Sequence, residues 1–208
     1  MLVFQDLKIT IPKAKQKVFL DAMEKRLPLG WTRNNEAEVD LGVDGKENVG
    51  YFMCDKSTGL PPALVALYEQ DENSMYVSNI VPVPETEITT EEYNKILSVF
   101  NSSCIAPVAV AMKLQVKLSL ANQTLQDWIP NQSYDLFETA VMYGYPSHPL
   151  DRKKWYNFVI SLARSKKYDL SYFVDWLIQE KGFDKVSAHN LNIELVHEVE
   201  LLKLYRKR

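Results

Sequence analysis

The segment Ile105-Ala-Pro-Val-Ala-Val-Ala-Met-Lys-Leu-Gln-Val-Lys-Leu-Ser-Leu120 decides how the first part of the chain is read. Val108, Val110, Met112, Leu114, Val116, Leu118 and Leu120 alternate with Ala109, Ala111, Lys113, Gln115, Lys117 and Ser119. A period of two is the signature of a strand, because successive side chains leave a strand on opposite sides. One face is wholly apolar and the other turns polar only from Lys113. The reading is a strand over 108–120 whose first half is covered on both sides.

Working back towards the start, Leu7, Ile9 and Ile11 alternate with Lys8 and Thr10 and give a first strand. Pro12 can open a helix, where its missing N–H is not needed. Val18, Phe19, Ala22, Met23 and Leu27 follow helical spacing up to Pro28 and Gly30. Ala37, Val39 and Leu41 alternate with acidic residues and are read as a second strand, followed by a hairpin-type turn in Val43-Asp44-Gly45-Lys46. Val49–Cys54, Ala63–Glu69 and Met75–Val83 supply a third, fourth and fifth strand. Thr89 and Glu92 have the spacing of a capping box and open a helix with Tyr93, Ile96, Leu97 and Phe100 inward.

The expected fold is therefore α+β: an antiparallel sheet of about six strands with two helices, in the order β-α-β-β-β-β-α-β. An all-α C-terminal region of four to five helices follows it. The domain organisation expected is a sheet domain over 1–120 and a helical region over 121–208. Composition shifts at the same place: 9 of the 23 aromatic residues lie in 1–118 and 14 in 119–208. No Gly/Ser spacer separates the two parts.

In the second part, Thr124–Ile129 is a short helix stopped by Pro130, and Ser133 is expected to cap another. Tyr143-Gly144-Tyr145-Pro146-Ser147-His148-Pro149-Leu150-Asp151 has too many breakers for a regular helix. Asp151, Asp169 and Asp184 are each expected to cap a following helix. The last helix, about 185–203, carries two apolar stripes. Leu191, Leu195, Val199 and Leu202 form one; Ile193, Val196, Leu201 and Leu204 form the other. A helix with a single stripe buries one side. Two stripes imply that it is pinned between surfaces or that one stripe meets another chain.

Composition bounds the function. The chain has 208 residues, 46% hydrophobic and 25% charged, with a formal net charge of -3. Residues 1–118 hold 12 basic and 16 acidic residues, and 119–208 hold 12 and 11. That balance speaks against a nucleic-acid partner, which favours basic chains. Two cysteines do not make a disulfide framework. No secretory signal is read at the start, and no run of apolar residues reaches the length of a membrane span, so a cytoplasmic protein is expected.

No convergent catalytic, cofactor-binding or metal-binding set emerges, and no small-molecule ligand is evident. His148 lies three residues from Asp151, but turn formation and capping account for both. Cys54 and Cys104 have no base at motif spacing and read as inert. His189 and His197 are eight apart, too far for two ligands on one helix turn. Gly42-Val43-Asp44-Gly45-Lys46 lacks the phosphate-loop pattern.

The leading expectation is a non-catalytic protein-interaction module: a regulator, inhibitor or assembly partner, with an immunity- or antitoxin-like role as an analogy. It would contact a protein partner or a second copy through the aromatic-rich C-terminal helices. The expected contact residues are Tyr143, Tyr145, His148, Tyr156, Leu191, Leu195, Val199 and Leu202. The alternatives are a small enzyme with a cleft between sheet and helices, using His148, Asp151 and Cys54, and a nucleic-acid-binding regulator using the basic C-terminus Lys203–Arg208.

Overall fold

A computed structural model describes residues 1–40, 48–83, 87–142, 144–165 and 167–206, with the backbone alone at 38–40. The chain divides into two compact units, residues 2–121 and residue 1 with 122–208. The class is α+β, with a six-stranded antiparallel sheet and a helical C-terminal half.

The sheet unit contains β1 (Leu7–Thr10), α1 (Lys13–Glu24), β2 (Trp31–Arg33), α2 (Asn35–Asp40), β3 (Val49–Cys54), β4 (Ala63–Asp71) and β5 (Ser74–Pro82). These are followed by α3 (Thr90–Phe100), a π-helical turn (Asn101–Ile105), α4 (Ala106–Met112) and β6 (Gln115–Leu118). The strand order is β2-β3-β4-β5-β1-β6. Every neighbouring pair is antiparallel. A two-residue hairpin turn joins β4 to β5, and a longer link with a 3-10 turn at Lys56–Thr58 joins β3 to β4, both between antiparallel neighbours.

One face of this sheet makes the core. Leu7, Ile9 and Ile11 of the first strand segment, Phe52 and Cys54, Val65 and Leu67, and Met75, Val77 and Ile80 meet Phe19, Leu20 and Met23 of α1. Ile96, Leu97, Phe100, Cys104, Ile105, Val108 and Ala109 cover the same face. Phe100 is wholly buried, its ring 5.1 Å from Trp31 and 5.3 Å from Phe52. The N-terminal segment is tied down by Asn94: its Nδ2 donates to the Val3 carbonyl and its Oδ1 accepts from the Gln5 N–H, both at 2.8 Å.

The expected strand over 108–120 is corrected. Residues 106–112 are helical, and only Gln115–Leu118 is strand. Val108 and Ala109 are buried side by side while Val110 is 77% exposed, a helical rhythm that alternating Val and Ala disguise. Pro107 explains the π-turn before it. A proline inside a helix lacks the N–H for the residue four back and crowds its carbonyl. Widening the helix over 101–105 absorbs that conflict, and the Ala106 N–H bonds Asn101, five residues back. Lys113 then stops the helix in the left-handed region, at φ 55°.

The expected strand at Ala37–Leu41 is also corrected. Residues 35–40 form α2, started by Asn34 Oδ1 accepting from the Ala37 N–H at 3.0 Å. Leu41 and the turn at 43–46 lie outside the described residues. The second strand is Trp31–Arg33, directly after Gly30 at φ 86°. A Cβ at Gly30 would stand 2.6 Å from Ser57 Oγ, so the turn into β2 admits only glycine.

The continuous helix Thr90–Met112 has 23 residues and is long and apolar enough, by length and composition, to cross a membrane. The expectation that no stretch reaches that length is thereby corrected. In this fold the helix lays one face on the sheet.

The helical unit contains α5 (Leu125–Trp128), α6 (Asn131–Ala140), α7 (Pro149–Arg164), α8 (Phe173–Lys181) and α9 (Lys185–Arg206). Phe137 is the centre of its aromatic core, with Phe158, Phe173 and Trp176 each within 5.7 Å, centroid to centroid. Capping differs in detail from expectation. Ser133 is inside α6 and bonds Ser161 Oγ at 2.9 Å. Asp169 holds a turn at Ser171, while Asp184 does cap α9 through the Val186 and Ser187 N–H groups, each at 3.0 Å.

Phe100→Ala should cost about 3–5 kcal/mol of stability, since it removes a ring shared by two aromatic neighbours. Thr89→Ala should cost about 1 kcal/mol, the worth of one exposed cap. Urea denaturation of both variants beside the parent chain checks the ranking.

Candidate functional site

Three contacts fix how α7 and α9 lie. Arg152 forms an ion pair with Glu194. The Trp155 indole N–H donates to Glu198 Oε2 at 2.7 Å. Arg206 donates to the Ala163 carbonyl at 3.3 Å. The partner numbers rise together, so the two helices run in the same direction, side by side. Leu191, Leu195 and Val199 are buried beneath this seam, as are Trp155, Phe158, Val159 and Leu162.

On the solvent side the seam is a groove. Tyr156, Val159, Ile160, Leu201 and Leu202 line a hollow of about 360 Å³, with Glu198 the one charged lining residue. Ile160 and Leu202 also line an adjoining hollow of about 290 Å³, where Arg164 and Arg206 stand. The groove thus runs from carboxylates to guanidiniums over an apolar floor. Tyr156, Ile160 and Leu201 are exposed, with Leu201 at 68%. Val196, Ile193 and Leu204 on α9 are exposed as well.

The acidic end is polar but organised. Tyr145 Oη donates to Glu194 Oε2 at 3.0 Å, and the Arg152 guanidinium lies 5.8 Å over the Tyr156 ring. Burial pushes the Glu198 carboxyl above the usual carboxylate range; the Trp155 N–H pulls it back, and the Glu194 charge adds to the rise. Tyr145 is raised too, by burial and by its bond to Glu194.

The expected contact residues therefore separate. Tyr145 and Tyr156 reach the surface around the groove, and Leu202 lines it. Leu191, Leu195 and Val199 are core of their own unit, which corrects their expected role. The free stripe of α9 is the other one, Ile193, Val196, Leu201 and Leu204. His148 is exposed and caps α7, its Nδ1 accepting from the Leu150 N–H at 3.3 Å. Asp151 is not the cap; it sits in the first turn and pairs with Lys154 at 3.3 Å. Tyr143 lies outside the described residues.

The residues considered for catalysis stay apart in chemistry. Cys54 and Cys104 are buried free thiols. Burial raises both, Cys104 to about 12. A thiol so placed holds its proton at neutral pH. Among the described residues no group of three or more His, Cys, Asp or Glu could hold a metal ion. In the basic C-terminus, Lys203 bonds Tyr168 Oη and lies 4.7 Å over that ring, while Arg206 is engaged with α7. Lys207 and Arg208 lie outside the described residues.

A larger hollow of about 470 Å³ is lined by Trp128, Pro130, Tyr168, Asp127 and Asp169 among others. Three of its polar groups are already used: Asp127 closes the cap at Thr124, Asp169 holds Ser171, and Tyr168 holds Lys203. It offers no converging free group, so the α7–α9 groove is the stronger site. No protein-family model, curated protein or solved structure matches the chain.

Glu198→Gln keeps an acceptor for Trp155 and removes the charge. A carboxyl raised in the folded state favours folding fully below its unfolded value and loses that contribution as pH rises through the folded value. The variant should therefore gain stability over the parent at pH 7.5 and show no gain at pH 4. Urea midpoints at the two pH values measure the difference.

Proposed function

We propose that the chain is a non-catalytic protein-interaction module whose α7–α9 groove receives an amphipathic helix of a protein partner. The observation that carries this reading is an apolar floor open to solvent, closed at opposite ends by opposite charges. An α-helix laid in such a groove buries one apolar stripe. Its direction is set by charge: a basic residue against Glu198 and an acidic residue against Arg164 and Arg206. From residue 198 to residue 206 the floor spans about 12 Å, two turns of helix. Tyr156 and Arg152, stacked at one end, are of the residue types that carry most of the energy at protein interfaces. A regulator, inhibitor or assembly partner in the cytoplasm fits this reading, and the two buried free thiols suit a reducing compartment.

A photo-crosslinking amino acid at Leu201 tests it. The crosslinked peptide should be an apolar helix carrying a basic and an acidic residue about two turns apart. Ile160→Glu should lower affinity for that peptide about 30-fold or more, the loss expected at an interface centre, with the circular dichroism spectrum unchanged. Crosslinks to a second copy of this chain alone, or affinity indifferent to Ile160→Glu, would overturn the proposal.

A further inference from the structure

Helices α1, α3 and α4 pack on one face of the sheet, and the other face has a chemistry of its own. Register places Tyr68 opposite Tyr76, Tyr76 opposite Lys8, and Lys8 opposite Lys117. Residues directly opposite share a face, so these four form one row across β4, β5, β1 and β6. With neighbouring strands ~4.8 Å apart, the row is about 14 Å long. Tyr51, buried, packs edge-on against Tyr68 at 5.6 Å, and Tyr68 against Tyr76 at 6.4 Å. Tyr68 and Tyr76 are half-buried; Lys8, Lys117, Thr10 and Gln115 are exposed.

The strands carry one carboxylate on this face, Asp71 opposite Ser74 at the end of β4, and Asp6 stands just before β1; neither is in the row. Lys8 and Lys117 face each other directly, an arrangement that like charges make unfavourable. An edge strand often carries lysine to discourage pairing, which accounts for Lys117 on β6. It does not account for Lys8 on the inner strand, or for tyrosines in the same row. An anionic ligand with flat rings satisfies both halves of the row at once.

We propose that this face binds single-stranded nucleic acid, bases against Tyr68 and Tyr76 and phosphates against Lys8 and Lys117. The net charge of -3 argues against a uniformly basic binder, not against a local row. Aromatic platforms beside cations are how sheets hold single strands without reading sequence.

Fluorescence anisotropy with labelled 12-mers of oligo-dT and oligo-U, using the full chain at 50 mM salt, tests it. Binding should weaken about sevenfold between 50 and 200 mM salt, as two phosphate contacts require. The double variant Lys8→Gln, Lys117→Gln changes only exposed side chains and should abolish that salt dependence. Tyr76→Leu, which stays apolar but removes the ring, should weaken binding by about fivefold to 150-fold. Thermal melts of the variants confirm the fold. The proposal is overturned by no anisotropy change with either oligomer, by unchanged binding in the lysine double variant, or by equal affinity for duplex.

Discussion

The sheet unit depends on covering one face of six strands with a continuous helix that has to pass a proline. Thr90–Met112 supplies the cover, from Ile96 to Ala109. Pro107 would break an ordinary helix at that point. The π-turn over 101–105 lets the chain continue, and it lets Cys104, Ile105 and Val108 stay on the buried side of Phe100. Without it the helix would end near Phe100, and the edge of the sheet around β1 and β6 would lose Ile105, Val108 and Ala109 as its cover. The left-handed Lys113 then turns the chain directly into β6, which pairs with β1 and completes the sheet.

The same unit shows how polar groups are admitted to a core. Gln16, wholly buried, donates to the carbonyls of Ile11 and Asp71 and accepts from Asn48. Asn48 also donates to Glu69 at 3.2 Å, and Lys13 approaches Glu69 at 3.5 Å. A buried amide left unpaired would cost far more than the bond it forgoes. Here each group is answered by another element, so the cluster pins α1 and the start of β3 to β4.

Much of the architecture was legible in the sequence because period two and capping chemistry are local. β1, β3, β4 and β5 follow from alternation, and α3 from the Thr89–Glu92 box, which forms reciprocally through both side chains. Two strand assignments fail for one reason. In Ala37–Asp40 and in Val108–Met112, small or β-branched residues alternate, and alternation over so few residues does not distinguish a strand from a helix. Burial on the sheet decides, and burial is not local. Pro107, just before the second of these segments, stands at the second residue of α4, inside the continuous helix that the π-turn lets pass.

The site was legible only in outline. Two apolar stripes on α9 are visible in the sequence, but which one is core depends on where Trp155 and Phe158 lie. Trp155 settles it: its ring is buried and its N–H needs an acceptor, and Glu198 is the residue that supplies one. That bond turns the Leu191, Leu195 and Val199 side of α9 inward and leaves Leu201 outside. Glu198 is thereby held at the rim of an apolar groove with its charge partly desolvated. A carboxylate in that position has lost some of its water already, so a cation brought by a partner meets it at reduced desolvation cost. At the other end, Arg164 and Arg206 stand at the C-terminal ends of their helices, where the backbone dipoles favour positive charge. The polarity of the groove is thus set by two parallel helices and one indole, and a partner helix entering the other way would meet like charge at both ends.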